Sequence, residues 1–87
     1  MKVIAKPIEM IAYTNKTGDI KPLKFRIEGE DNTGKVVKVD NVIIKEHEKL
    51  AGNSMLVYKC QSVIDNVMKQ FEIKYDLRTC KWILYKI

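Results

Sequence analysis

The sequence predicts a small all-β domain, and three observations carry that reading. Apolar and polar side chains alternate with a period of two through three successive stretches of the C-terminal third. Turn-forming clusters separate the apolar stretches at short intervals, and no segment is long enough to form an amphipathic helix that could hold a core. The 87 residues fit a single domain, 1–87, with one core. About six short antiparallel strands are expected, curled into a sheet or an SH3-like barrel that hides its edges. An OB-like barrel is the alternative, weakened because no helix is evident between the middle strands.

The first strand is expected over residues 2–13. Pro7 lies inside it and cannot donate to a ladder, so it belongs at an edge, a bulge or a bend. Asn15-Lys16-Thr17-Gly18-Asp19 is a turn. The second strand, residues 20–28, directs Leu23, Phe25 and Ile27 inward and Lys24, Arg26 and Glu28 outward, with Pro22 near its start. Asp31-Asn32-Thr33-Gly34 then reads as a turn with Gly34 suited to a left-handed conformation. Pairing Ile27 with Val37 and Phe25 with Val39 keeps the apolar side chains together, and sets Lys24 near Asp40 and Arg26 near Lys38. Past Asn41 the apolar positions shift to Val42 and Ile44, which marks a bulge or bend.

Residues 46–53 contain good helix formers before Gly52 and are expected to form one helical turn outside the sheet. The last three strands follow, turning at Asp65-Asn66 and at 76–79. Leu56, Tyr58 and Cys60 face Phe71, Ile73 and Tyr75, which face Cys80, Trp82 and Leu84, with Cys60 opposite Phe71 and Phe71 opposite Leu84. Three strands agree on one face, and a slip of one residue would put every one of these side chains in water. The opposite face carries Val57, Ile83 and Tyr85 among charged residues, with Lys59 beside Glu72.

Composition narrows the function classes. The net charge is +5, distributed as +4 over residues 1–27, −2 over 28–65 and +3 over 66–87. A basic domain suits nucleic acid, an acidic protein or a membrane surface, while lysine-rich strands also keep sheet edges soluble. No apolar run is long enough to span a membrane, and the N-terminal apolar stretch is interrupted by Lys6, Pro7 and Glu9, unlike a secretory leader. Cys60 and Cys80 fall two strands apart and more than about 10 Å from one another at ~3.4 Å per residue and ~4.8 Å per strand, too far for a disulfide. Both are therefore expected as free thiols on the core face, in a reducing cytoplasm.

Catalytic chemistry has little to work with. His47, the single histidine, stands between Glu46 and Glu48 with no nucleophile near it in sequence. The glycines stand singly, and the carboxylates lack the spacing of a calcium loop, so no catalytic, metal or cofactor set is expected. Two surfaces are left. Val57, Ile83 and Tyr85 form a candidate protein-contact patch, with an unidentified protein or a second copy as partner. Lys24, Arg26 and Lys38 on one hairpin, with Lys74 and Lys81 on the last two strands, are candidate contacts to RNA or single-stranded DNA. The expected function is a non-catalytic binding or regulatory module, with a small nucleic-acid-binding barrel as the alternative.

The stretch NSMLVYKCQSVIDNVMKQFEIKYDLRTCKWILYKI, with FRIEGED before it, resembles a group of short, uncharacterised proteins of clostridia and related Gram-positive bacteria. The resemblance spans nearly the whole chain. It implies no particular activity and supplies no functional residues.

Overall fold

The computed structural model of the protein describes residues 1–28 and 34–87. Its described residues form seven antiparallel strands: β1 (Val3–Thr14), β2 (Ile20–Glu28), β3 (Gly34–Lys38), β4 (Asn41–Leu50), β5 (Asn53–Ile64), β6 (Val67–Asp76) and β7 (Lys81–Lys86). They make one sheet in the order β3-β2-β1-β7-β6-β5-β4. Each strand therefore lies beside its neighbour in sequence, except that β3 and β4 occupy the two edges and β1 closes against β7. This meander has no Greek-key crossing, unlike the OB-like alternative. No helix occurs among the described residues, so none is long and apolar enough to cross a membrane.

The sheet is curled, as expected. Phe25 on β2 and Phe71 on β6 are three strands apart in the order, yet their rings meet edge to face at 5.7 Å. Such a pair contributes about 0.5–1.5 kcal/mol beyond the area it buries. The core encloses Phe25, Val37, Tyr58, Cys60, Ile64, Phe71, Ile73 and Leu84, and Trp82 stacks at its rim between Tyr75 at 4.6 Å and Tyr58 at 5.6 Å. The Tyr58 hydroxyl donates to the Ile20 carbonyl at 2.6 Å, so a residue of β5 latches the start of β2. Burial, together with the negative charge of Asp19, pushes that hydroxyl up to about 12.

The β3 edge meets the end of β5 at a seam. Pairing between β4 and β5 ends at Asn41–Gln61, and Asp40 extends it with other groups. Its backbone N–H donates to the buried Ser62 hydroxyl at 2.9 Å, and its carboxylate accepts from the Val63 N–H at 2.9 Å. Lys35 on β3 also pairs with Asp65 at the tip of the β5–β6 hairpin, holding that carboxyl below its usual range chiefly through the hydrogen bond.

Turn chemistry explains where the strands reverse. Asn15 Oδ1 accepts from the N–H groups of Thr17 and Asp19, and Gly18 takes φ +94°, as the turn cluster predicted. Asp65 and Asn66 both adopt left-handed conformations in the expected two-residue turn, and Cys60 faces Phe71 and Lys59 faces Glu72 as expected. In β1 the register breaks between Val3 and Lys6 around Ala5, at φ 46°. Pro7 follows where the strand passes from β7 to β2.

Several expectations need correction. Residues 46–53 form no helical turn: residues 46–50 are edge strand, and Ala51-Gly52, both left-handed, close the β4–β5 hairpin. Pairing with β5 outweighs the helix propensity of that segment. Leu23 is exposed rather than inward, because a bulge opposite Ile11 and Ala12 lets Pro22 and Phe25 both turn inside. Phe25 pairs with Val37, Lys24 with Lys38 and Arg26 with Val36, a shift of two residues from the expected β2–β3 register. A second shift of two sets Ile73, not Phe71, opposite Leu84. There Asp76 caps a longer loop by accepting from the Arg78 and Thr79 N–H groups, and the loop carries Cys80 at φ 59° out of the core into solvent.

The expected turn at 31–33 lies outside the described residues. Gly34 itself belongs to β3 and is not left-handed. It makes room instead, since a Cβ there would meet Arg26 Cδ at 2.8 Å.

Candidate protein-contact face

The patch expected at Val57, Ile83 and Tyr85 is largely closed by its own neighbours. These residues do lie on the outer face of the sheet, where a cross-strand row runs Glu46, Val57, Lys74, Ile83, Pro7. Val57, however, is only 5% exposed, and Ile83 and Tyr85 are half-buried. Lys74 does the covering. Its ammonium lies 3.8 Å from the centre of the Tyr85 ring and 3.2 Å from Glu48 Oε2, and its side chain is 12% exposed. A lysine stem laid along apolar surface with its charge satisfied at the tip shields the aliphatics beneath it. Val57 is thus corrected from a contact residue to a packed one.

Lysine 74 is consequently a poor nucleic-acid contact, being spent on Glu48 and Tyr85. Arg26 is also engaged, at 3.0 Å from Glu9 and 3.9 Å from Glu28. Lys24, Lys38 and Lys81 remain exposed. Lys24 and Lys38 stand directly opposite each other on β2 and β3, whereas Lys81 sits across from Asp76 at the start of β7. β1 and β7 separate β2 from β6, so the strand order does not bring the two basic clusters together.

The outer face of β1, β2 and β3 stays open, as does the end of the β5–β6 hairpin at Val63, Val67 and Met68. Ile11 pairs with Lys24, which pairs with Lys38, and Glu9 pairs with Arg26, which pairs with Val36, so these six residues occupy adjacent rows. Tyr13 and Lys21 form the next row, and the bulge adds Leu23. Four large apolar side chains are exposed there: Ile11 at 55%, Tyr13 at 58%, Leu23 at 40% and Val36 at 60%. An apolar cluster held in solvent on a regular sheet face is the kind of surface that marks an interaction site. A shallow groove of about 370 Å³ runs between Ile11, Lys24, Arg26 and Val36, and a second of about 410 Å³ continues past Glu9 and Arg26 toward Pro7 and Glu28.

Arg26 is positioned rather than free. Its stem lies over Gly34, and its guanidinium spans the two carboxylates that would otherwise face solvent at that end. The face is therefore polar in charge: three lysines, with no ion pair among the described residues, at the Tyr13 end, and two glutamates sharing one arginine at the other.

The thiol and imidazole groups that the sequence singled out lie apart from this face. Cys60 is buried with its thiol directed at the Tyr58 carbonyl, and burial pushes it up to about 12, so it holds no thiolate near neutrality. His47 lies exposed on the β4 edge opposite Leu56. Among the described residues no three His, Cys, Asp or Glu side chains gather as metal ligands.

Sequence reasoning missed Ile11, Leu23 and Val36. A signal existed in the doublets Met10-Ile11 and Val36-Val37, because adjacent apolar residues on a strand cannot both point inward. No known family, curated protein or solved structure matches this chain.

Proposed function

We propose that the protein is a non-catalytic binding module of the cytoplasm that contacts a protein partner, or a second copy of itself, through the outer face of β1–β3. The observation behind this reading is the contiguous set of Ile11, Tyr13, Leu23 and Val36, exposed on adjacent cross-strand rows and rimmed by lysines. Interfaces of ordinary size place aliphatic and tyrosine side chains at the centre and charges around them. Two free thiols suit a reducing compartment.

Selection of peptides from a random displayed library on the immobilised domain tests the reading. Enriched peptides are expected to lose binding to an Ile11→Asp, Val36→Asp variant whose circular dichroism matches the parent. Enriched peptides that bind the variant unchanged would exclude this face.

A nucleic-acid reading has one observation in its favour, the direct opposition of Lys24 and Lys38. Its mark is affinity for RNA or single-stranded DNA that falls steeply with salt, because each neutralised phosphate releases counterions. Binding that is absent or insensitive to salt removes it.

A further inference from the structure

The charges on the open face point to the chemistry of its partner. Lys24 and Lys38 are directly opposed on adjacent strands, and like charges in that position repel. Arg26, next along the same strand face, is compensated by Glu9 and Glu28, so the strain of like charge is confined to the lysine end. Lys21 on β2, beside Tyr13, adds a third cation there. Anionic groups arriving at these lysines relieve the repulsion, and apolar groups covering Ile11 and Val36 remove the exposed surface between them.

We propose that this face docks an acidic, apolar segment of a partner polypeptide, with carboxylates on Lys21, Lys24 and Lys38 and aliphatic or aromatic side chains over Ile11 and Val36. The proposal rests on the protein-contact reading and narrows it. Nucleic acid fits the face less well. Its centre is aliphatic, Tyr13 is its one exposed aromatic ring for a base to stack on, and Glu9 and Glu28 would meet the phosphates. On a second copy the acidic and apolar row Ile44, Glu46, Glu48 and Leu50 along β4 has its Glu48 already held by Lys74. Contact between two unlike surfaces would also run head to tail, into a ring or an open chain rather than a two-fold dimer.

The test titrates the full chain with three labelled probes at low salt: a decapeptide of glutamates interrupted by leucine and phenylalanine, decaglutamate, and single-stranded oligothymidylate of the same length. Nitrogen–proton correlation spectra are recorded alongside. The acidic–apolar peptide is expected to bind and to shift amides of β1, β2 and β3. Its affinity should drop about tenfold or more in Lys24→Glu, Lys38→Glu and, separately, in Ile11→Ser, Val36→Ser. Decaglutamate binding as tightly as the mixed peptide would overturn the proposal, since the apolar centre would then contribute nothing. Oligothymidylate binding more tightly than either peptide would overturn it in favour of nucleic acid. Library peptides that need Ile11 and Val36 but are neutral or basic would overturn the acidic partner while leaving the contact face standing. A library that yields no peptide, with no amide shifted by any probe, would remove both.

Discussion

Strands β5 and β6 together bury eight side chains, whereas β1, β2 and β3 together bury three: Pro22, Phe25 and Val37. The two regions belong to one sheet and obey one alternation, yet they treat their outer faces differently. On β5–β7 the outer residues Val57, Ile83 and Tyr85 are closed over by Lys74, which is anchored on Glu48 and Tyr85, and the Val63–Met68 pair near the β5–β6 turn stays exposed. On β1–β3 the long cation that could have done the same, Arg26, is drawn aside by Glu9 and Glu28, and Ile11 and Val36 stay open. Where a neighbouring carboxylate pins a long basic side chain decides whether the aliphatics near it are packed or presented.

Substitutions sharpen this contrast. Phe71→Ala in the packed region should cost about 3–5 kcal/mol by urea denaturation, a large part of the ~5–15 kcal/mol a domain of this kind has. A loss below about 1 kcal/mol would mean the β5–β6 core is not the stabilising region.

Glu48→Gln removes the partner of a lysine that is 12% exposed and should cost about 1–2 kcal/mol, less than a fully buried pair because Glu48 retains water. Pairing Glu48→Leu with Lys74→Met should restore most of that loss, and failure to do so would show that the charge itself, not the cover it provides, is what the site needs.

The latch tests the join between the regions. Tyr58→Phe should cost about 1 kcal/mol through its lost hydrogen bond to Ile20. Tyr58 and Cys60 both have folded values raised to about 12, from 10.0 and 9.0 respectively, so they favour the folded state fully below those ordinary values. That contribution is lost as pH rises through the window from about 9 to about 12. Urea midpoints should therefore fall across this window, and fall less steeply in Tyr58→Phe. An unchanged slope would place the alkaline transition elsewhere.

Smallest of all, Ile11→Ser and Val36→Ser should each change stability by no more than about 0.5 kcal/mol while weakening binding of the acidic–apolar peptide. A loss comparable to that of Phe71→Ala would show that the open face is packed after all.

Alternation together with the Asp65-Asn66 turn was enough to read the β5–β6 register, because a two-residue turn leaves no choice of pairing. The β2–β3 and β6–β7 registers each slipped by two. A shift of two preserves every inward-facing residue, so apolar pattern cannot detect it, and only the loop between the strands can. At β6–β7 that information lay in the Asp76 side chain and in a left-handed Cys80, a conformation no propensity assigns to cysteine. The bulge between Val42 and Ile44 was legible, but the rest of β4, residues 46–50, was not: it is an edge strand, exposed along most of its length, so it needs no apolar alternation to belong to the sheet. Of the contact face, Leu23 was hidden by the bulge that breaks the period of two there, whereas Ile11 and Val36 were legible in their apolar doublets.

The pairing of the first strand with the last has a kinetic consequence. Every other ladder among the described residues is a hairpin that can zip from its own turn, but β1 meets β7 only when nearly the whole chain has been brought around, down to the mutual hydrogen bonds between Lys2 and Ile87. Folding time is then governed by a single ring closure, whose entropy grows slowly with the length enclosed. Two preformed meanders, β1–β3 and β4–β7, would wait on that one encounter, and the Tyr58 latch and Asp40 seam would set behind it.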